Sequence, residues 1–230
     1  MQVVFLLPGL LCDAAVWRAP ARTLSQNHDV RVPHFFGYDS ILAMARAVLA
    51  MAPDRFSVAG HSMGARVAIE IVNQAPARVE RLAILDTGVH GVQSGEQNAR
   101  QELVDLANTP GMEALAARWI PPMLAPDRVG DAALMEEIAA MVCRATPLIF
   151  ARQIRALLNR PPAEPVLPRI ACPVAIAVGR QDGWSPVSQH EEIAAAVPHA
   201  RLDIIENCGH MAPLERPEAV GKILAAWLET

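Results

Sequence analysis

Short runs of consecutive apolar residues alternate along the chain with longer segments in which apolar positions recur at helical spacing. Residues 3–7 and 174–178 are continuously apolar, which is typical of strands buried on both faces of a parallel sheet. The alternation predicts an α/β fold, a mostly parallel sheet flanked by helices. The predicted strands are 3–7, 29–35, 56–59, 81–86, 174–178 and 201–205, and the clearest predicted helices are 41–52, 63–74, 187–197 and 218–229.

The alternation stops between residues 90 and 165. This stretch has helical spacing, is interrupted by Pro110, Pro121, Pro126 and Pro147, and contains no comparable strand pattern. We therefore expect a single domain over residues 1–230 with a helical cap insertion at 90–165. Such an insertion lies over the carboxyl ends of the strands, where the sites of α/β proteins are found.

Composition and charge narrow the function classes. With 52% hydrophobic and 19% charged residues the chain is typical of a soluble globular protein, and its net charge of −4 gives no basic surface for nucleic acid or an anionic membrane. The four cysteines are far apart, which favours reduced thiols, and the seven histidines lack metal-ligand spacing. We expect no metal and a small-molecule partner.

The apolar amino terminus does not fit a signal peptide. It has no basic start, and Pro8-Gly9 interrupts the apolar run. No run is long enough to span a bilayer. The expectation is a cytoplasmic monomer or homodimer that does not bind membranes.

A Gly-x-Ser-x-Gly sequence joins the strand at 56–59 to the helix at 63–74. This order of strand, turn and helix is the context in which the serine is an exposed nucleophile at a tight turn. Gly60 and Gly64 leave room for the turn because neither carries a Cβ. Ser62 is therefore the candidate nucleophile, beside the free N–H groups of a helix amino terminus.

A serine nucleophile needs a base and a carboxylate that orients it. Asp182 follows the strand at 174–178, and His210 follows the strand at 201–205, so both lie in loops at one edge of a parallel sheet. Asp86 also ends a strand and is the rival acid. His61 lies inside the turn with its side chain directed away from the serine, so packing or loop bonding is favoured for it.

Four segments carry a resemblance to a known family. They are residues 5–9, 60–64, 179–182 and 209–217, in an order and with residue types that resemble the α/β-hydrolase superfamily, in its small single-domain group. The resemblance implies a helical cap inserted after the sixth strand of the family fold and a reaction without a cofactor. It also implies that Ser62 attacks, His210 is base and then acid, and Asp182 orients His210.

The same resemblance implies an oxyanion hole made of two backbone N–H groups. Met63 supplies one, and the loop after the first strand supplies the other through Leu10, with Leu11 next in line. Relatives often have His-Gly where this chain has Pro8-Gly9, so the choice between the two leucines stays open.

Substrate contacts are predicted at Leu11, Arg66, Trp119 and Trp184. Arg66 follows Ser62 by one helical turn, and a lyase of menaquinone synthesis in this superfamily is similar in having an arginine there. The competing interpretation, which the spacing favours, is an i,i+4 ion pair between Arg66 and Glu70. Trp184 either lines the pocket or packs under its loop.

We expect a serine hydrolase that cleaves a carboxylic ester, either a short or medium acyl ester or a lactone, through an acyl-enzyme. The alternative is a cofactor-free lyase of the same fold that abstracts a proton from an acidic substrate. A catalytically silent scaffold is disfavoured, because a binding protein has no need of an activated serine.

Overall fold

Six parallel strands form one sheet with the spatial order β2-β1-β3-β4-β5-β6. The computed structural model describes residues 1–230. The sheet and its flanking helices confirm the predicted fold class. The strands are β1 (Val3–Leu7), β2 (Asp29–Arg31), β3 (Phe56–His61), β4 (Val79–Leu85), β5 (Val174–Gly179) and β6 (Arg201–Ile205).

Strand β2 is shorter than the pattern predicts. It pairs with β1 over three positions and ends at Arg31 rather than at Phe35. Pro33 lies two residues further on and has no N–H to donate to a ladder. The prediction of a strand over 29–35 was therefore wrong at its carboxyl end.

Helices cover both faces of the sheet. Helix α1 packs against α10, and α2 packs against α3. Parallel crossovers are right-handed, so α2, α3 and α8 lie on one face of the sheet. The crossover that contains α1 runs in the opposite direction, so α1 lies on the other face, together with α10. The helices outside the insertion are α1 (Arg18–Leu24), α2 (Ile41–Met51), α3 (Met63–Gln74), α8 (Val187–Ala196), α9 (Ala212–Glu215) and α10 (Pro217–Glu229).

The strand order reverses its direction of growth at β1. The chain moves outward from β1 to β2, then returns to the other side of β1 to form β3. The loops that follow β1 and β3 therefore leave neighbouring strands in opposite directions and open a crevice at the carboxyl ends. Leu7 at the end of β1 pairs with Gly60 in β3, so the turn after each strand begins at the same level.

Four helices occupy the long segment between β4 and β5. The side chains of Asp131 and Thr146 accept hydrogen bonds from backbone N–H groups at the starts of two of them. Pro147, read from the sequence as a break, is instead the first residue of a helix, where its missing N–H costs nothing. These helices, hereafter the insertion, are α4 (Glu96–Asn108), α5 (Met112–Trp119), α6 (Ala132–Val142) and α7 (Pro147–Leu158).

One hydrophobic core continues from the sheet into the insertion. It contains 67 buried residues, among them Ile84 in β4, Leu115 in α5 and Phe150 in α7. The four cysteines are unpaired, two of them buried and two half-buried. Among the helices, none combines the length and the apolarity that a bilayer crossing requires.

Candidate active site

Ser62 lies in a tight turn between β3 and α3. Its φ of 54° is in the left-handed region, which is unfavourable for a residue with a Cβ. A Cβ on Gly60 would overlap the backbone of Gly64, and one on Gly64 would overlap the carbonyl oxygen of Leu7. The two glycines therefore allow the helix to start directly against β1 and β3, as the sequence motif predicts.

Asp182 lies in the loop after β5, where both of its carboxylate oxygens are used. Oδ1 accepts the N–H groups of Trp184 and Ser185 at 2.8 and 2.9 Å, and Oδ2 is 2.8 Å from Nδ1 of His210. Burial alone would raise the pKa of Asp182, but His210 and these N–H donors hold it below its ordinary value. The carboxylate is therefore ionised and fixed in orientation.

The loops that carry Asp182 and His210 are joined through their backbones. The N–H of Gln181 donates to the carbonyl of Cys208, and the side-chain oxygen of Gln181 accepts the N–H of Cys208. A Cβ on Gly179 would overlap the carbonyl oxygens of Cys208 and Gly209. This contact sets the distance between the acid and the histidine.

Glu215 supports the histidine loop from below. Its Oε1 accepts the N–H groups of Gly209 and Met211, on both sides of His210, and its Oε2 accepts the N–H of Ala125 at the end of a turn of the insertion. Three N–H groups that would otherwise be unpaired are thereby satisfied. The carboxylate side chain of Glu215 therefore fixes the His210 backbone to the insertion.

The structure brings Ser62, His210 and Asp182 into one hydrogen-bonded chain. Nε2 of His210 is 2.9 Å from Oγ of Ser62, and Nδ1 is 2.8 Å from Oδ2 of Asp182. Because Asp182 is ionised, Nδ1 carries the proton and donates it to the carboxylate, which leaves Nε2 free to accept from the serine. The arrangement can remove a proton from Ser62 and keep it on His210.

The rival acid, Asp86, is not part of the hydrogen-bonded chain of Ser62, His210 and Asp182. Its Oδ1 accepts the N–H of Gly179 at 3.0 Å, and its Oδ2 is 3.8 Å from Nε2 of His61, with no hydrogen bond to His210. Complete burial and the nearby charge of Asp182 raise the pKa of Asp86 well above its ordinary value. Burial thus favours the protonated form of Asp86, which has no hydrogen bond to His210.

His61 bonds to a loop, as the sequence reasoning favours. Its Nε2 donates to the carbonyl oxygen of His210 at 2.7 Å. Burial, followed by the proximity of His210, lowers the pKa of His61 to about 3, so the ring is neutral. It holds the His210 backbone and has no hydrogen bond to Ser62.

The turn after β1 distinguishes between Leu10 and Leu11. The N–H of Leu11 donates to Oε1 of Gln153 at 2.9 Å, so it is not free. The N–H of Leu10 donates to no protein atom. Gly9 packs against the serine turn, since a Cβ there would lie 3.3 Å from Cβ of Ser62. Met63, the first residue of α3, likewise has a free N–H.

A cleft of about 610 Å³ opens above Ser62, between the sheet edge and the insertion. Trp119 from α5 and Trp184 from the Asp182 loop meet edge to face, with ring centroids 5.5 Å apart, and Trp184 lies 5.4 Å from the ring of His210. Both line the cleft, as does Leu10. Leu11 is fully buried and lies outside it, so the predicted substrate contact at Leu11 is not supported.

Comparison with known proteins decides the family. The model of the alpha/beta hydrolase family matches residues 3–223. The chain belongs to this family. It is therefore an enzyme of the hydrolase type.

Individual relatives of this alpha/beta hydrolase have different reactions in their names. It is 26% identical to a pimeloyl-[acyl-carrier protein] methyl ester esterase of Nitrosomonas europaea, over 93% of this chain and 90% of the relative. It is also 26% identical to a putative 2-succinyl-6-hydroxy-2,4-cyclohexadiene-1-carboxylate synthase of Bacillus subtilis, over 74% of this chain and 64% of the relative. A solved thermophilic esterase from Thermogutta terrifontis has the same fold, with a TM-score of 0.89, 24% identity and coverage of 100% and 90%.

In this hydrolase Arg66 does not form the expected pair with Glu70. Glu70 instead accepts hydrogen bonds from Asn73 and from Gln74, which is also four residues away. Arg66 lines the cleft and donates to the backbone carbonyl of His90 at 2.8 Å. The favoured interpretation of Arg66 was therefore wrong, because a helix offered Glu70 a second partner at the same spacing.

Three further charged residues of the cleft were missed by the sequence reasoning. Glu96 accepts from Arg160 through both oxygens, at 2.7 and 2.8 Å, and from Arg100 at 2.8 Å. The four-residue spacing of Glu96 and Arg100 is readable in the sequence, but Arg160 is 64 residues from Glu96. With Arg66, the cleft has three arginines against one carboxylate, in a protein whose net charge is −4.

Proposed function

We propose that this hydrolase cleaves carboxylic esters, either short or medium acyl esters or lactones, through an acyl-enzyme on Ser62. The observation that carries the proposal is the chain of hydrogen bonds from Ser62 through His210 to Asp182, at the floor of the cleft. The ester-cleaving relative from Nitrosomonas europaea, aligned over nearly the whole length of both chains, supports the same reaction class.

The reaction begins when Oγ of Ser62 attacks the ester carbonyl carbon and its proton passes to Nε2 of His210. The carbonyl oxygen becomes an oxyanion, and we assign its two donors as the free N–H groups of Leu10 and Met63. His210 then gives its proton to the leaving alkoxide, the carbon–oxygen bond breaks, and the acyl group remains on Ser62. Water activated by His210 releases the acid and restores the serine.

The insertion has the role of a cap in this proposal. Trp119 of the insertion and Trp184, on the loop that carries Asp182, pack edge to face and both line the cleft. The two rings together provide apolar surface for an acyl chain or a lactone ring. The reaction uses no cofactor or metal, since every group that it needs is a side chain or backbone N–H of this chain.

The nucleophile is tested by Ser62→Ala together with a fluorophosphonate probe. We expect the variant to lose activity on p-nitrophenyl esters by at least about a thousandfold, because no other serine shares a proton with His210. The probe should label wild type at Ser62 and leave Ser62→Ala unlabelled, as read by peptide mass spectrometry. The control, Ser57→Ala, should label normally because Ser57 is buried in β3. Labelling at Ser57 or Ser185, or no labelling, would contradict the proposal.

The arginines of the cleft favour one second candidate, a cofactor-free lyase acting on an acidic substrate. Arg66 has no carboxylate partner, and burial, together with the nearby Arg160, lowers its pKa to about 9. A poorly solvated guanidinium binds a carboxylate strongly. The Bacillus subtilis relative is named as the putative synthase of a carboxylate. In this reaction His210-activated Ser62 would abstract a proton instead of attacking a carbonyl.

Arg66→Gln separates neutral from acidic substrates. If the substrate carries a carboxylate, we expect kcat/KM for mono-p-nitrophenyl succinate to fall by about 10- to 150-fold, because a charge-assisted contact is lost. Hydrolysis of p-nitrophenyl butyrate should change by less than about threefold. Arg118→Gln, on the exposed surface of the insertion, is the control. An equal, small effect on both esters would leave the neutral-ester hydrolase as the only candidate.

A further inference from the structure

Gln153 connects the insertion to the turn that contains Leu10. It lies on α7 and is 0% exposed. Its Oε1 accepts the N–H of Leu11 at 2.9 Å, and its Nε2 donates to the carbonyl of Phe35 at 3.3 Å. A fully buried glutamine is uncommon, and here both ends of the amide are bonded, which fixes its orientation. The side chain of Gln153 therefore links an insertion helix to two loops at the sheet edge.

The residue that Gln153 holds is strained. Leu11 has a φ of 58°, in the left-handed region that costs a residue with a Cβ about 1–2 kcal/mol. A second bond closes the same turn, from the N–H of Cys12 to the carbonyl of Gly9 at 3.2 Å. If the acceptor at Leu11 were removed, its buried N–H would be unpaired and the strained conformation would lose one of its two supports. Leu10, the preceding residue in the turn, would shift with it.

We propose that Gln153 is a positioning residue for the oxyanion hole. It holds the turn in the conformation in which the N–H of Leu10 faces the oxyanion, although Gln153 itself is not part of the cleft lining. The inference rests on the proposed function, because it assumes an oxyanion on the substrate. It adds that the insertion takes part in the chemical step, through a hydrogen bond, besides covering the cleft.

The same helix provides a matched control. Arg155, two residues after Gln153, forms an ion pair of 3.3 Å with Asp39, so it also joins α7 to a loop of the sheet edge. This pair is exposed and does not contact the turn of Leu10 and Leu11. Arg155→Gln therefore removes a contact between the insertion and the core without touching the oxyanion turn.

The test compares Gln153→Met, Gln153→Glu and Arg155→Gln. Methionine matches the length of glutamine, but its thioether sulfur is only a weak acceptor for the N–H of Leu11. We therefore expect kcat on p-nitrophenyl butyrate to fall by about 10- to 100-fold while KM changes by less than about threefold. Gln153→Glu keeps an acceptor for Leu11 and should recover most of kcat. Arg155→Gln should retain the wild-type kcat.

A trifluoromethyl ketone, which forms a tetrahedral adduct with the serine, separates positioning from folding. Its affinity for Gln153→Met should fall by the same factor as kcat, whereas the affinity of the matched methyl ketone should not change. Thermal melting reports the folded fraction, and if Gln153→Met does not fold, Gln153→Asn replaces it because its shorter amide cannot reach Leu11.

Unchanged affinity for the trifluoromethyl ketone in Gln153→Met, or in Gln153→Asn where it replaces that variant, would overturn the inference. A loss of kcat in Arg155→Gln equal to that in Gln153→Met would also overturn it. This outcome differs from a failure of the proposed function. If Ser62 were not a nucleophile, the wild-type enzyme itself would form no adduct with the trifluoromethyl ketone.

Discussion

Two buried aspartates at the ends of neighbouring strands have pKa values shifted in opposite directions, and the difference comes from their partners. Asp182 faces His210 and two backbone N–H groups, which stabilise its charge. Asp86 accepts the N–H of Gly179 through Oδ1, and its Oδ2 has no hydrogen-bond partner. Burial therefore dominates at Asp86 and raises its pKa, while the partners of Asp182 lower its pKa.

This difference predicts unequal effects of the two Asp→Asn substitutions. Asp182→Asn should lower kcat by about 10³- to 10⁴-fold, because an amide neither selects the correct tautomer of His210 nor stabilises its protonated form. Asp86→Asn keeps the shape of a side chain that has no hydrogen bond to His210 and should cost less than about tenfold. Steady-state kinetics on one p-nitrophenyl ester measures both. A larger loss at Asp86 would make it the acid of the reaction.

At the scale of elements, the two ends of the insertion are tied together by a buried ion pair. Glu96 begins α4, and Arg160 follows α7, against which α4 packs. Their side chains are only 16% and 7% exposed. Although burial alone would raise it, the hydrogen bonds from Arg160, Gln93 and Arg100 lower the pKa of Glu96 to about 2. An acid whose pKa is lower in the folded state stabilises the fold above its unfolded pKa, and this contribution is lost as pH falls.

We therefore expect Glu96→Gln to destabilise the protein in a pH-dependent way. At pH 7 the free energy of unfolding should fall by about 1.5–3 kcal/mol, since a hydrogen-bonded charge is lost. The difference from wild type should shrink as pH falls from about 4 through about 2, the folded-state pKa, because below that pH Glu96 is protonated in both states. Thermal melts of both proteins across this pH range measure the difference in stability. Glu102→Gln is the control and should have little effect at any pH, because Glu102 lies on the same helix as Glu96 but forms an exposed pair with Arg118 of α5. A difference that does not depend on pH would contradict the assignment.

The local motifs of this site could be predicted from the sequence, and the contacts between distant segments could not. Ser62, Asp182 and His210 each follow a recognisable strand, and a parallel sheet brings such loops to one edge. Gln153 carries no comparable signal, because nothing in a helical pattern shows that its amide meets Leu11, 142 residues away. Nor does the sequence show that Arg160 meets Glu96, 64 residues away. The order of the strands also required the structure, since alternation predicts parallel strands but not that β1 lies between β2 and β3.

At the scale of the whole molecule, the insertion and the sheet are joined by a continuous core. Buried residues of α5, α6 and α7 belong to the same cluster as those of the strands. Polar links cross the same boundary, from Gln153 to Leu11 and from Glu215 to Ala125. The insertion is thus packed as part of the domain.

This continuity predicts one cooperative unfolding transition. Calorimetric and van't Hoff enthalpies should agree, and loss of ester hydrolysis should coincide with loss of helical circular dichroism, because neither part retains a core when the other unfolds. Glu96→Gln should move this single transition without splitting it. Two resolved transitions, or an insertion that melts while the sheet persists, would show a separate folding unit.

The contact between Gly179 and the carbonyls of Cys208 and Gly209 has a consequence for recombination between homologous genes. The loops after β5 and β6 pack closely against each other. A crossover placed between them would combine the loop that carries Asp182 from one parent with the loop that carries His210 from another. The resulting chimeras should often fail, even when each parent is active. Crossovers before β5, which keep both loops from one parent, preserve this match and are the better sites for exchanging the insertion among relatives.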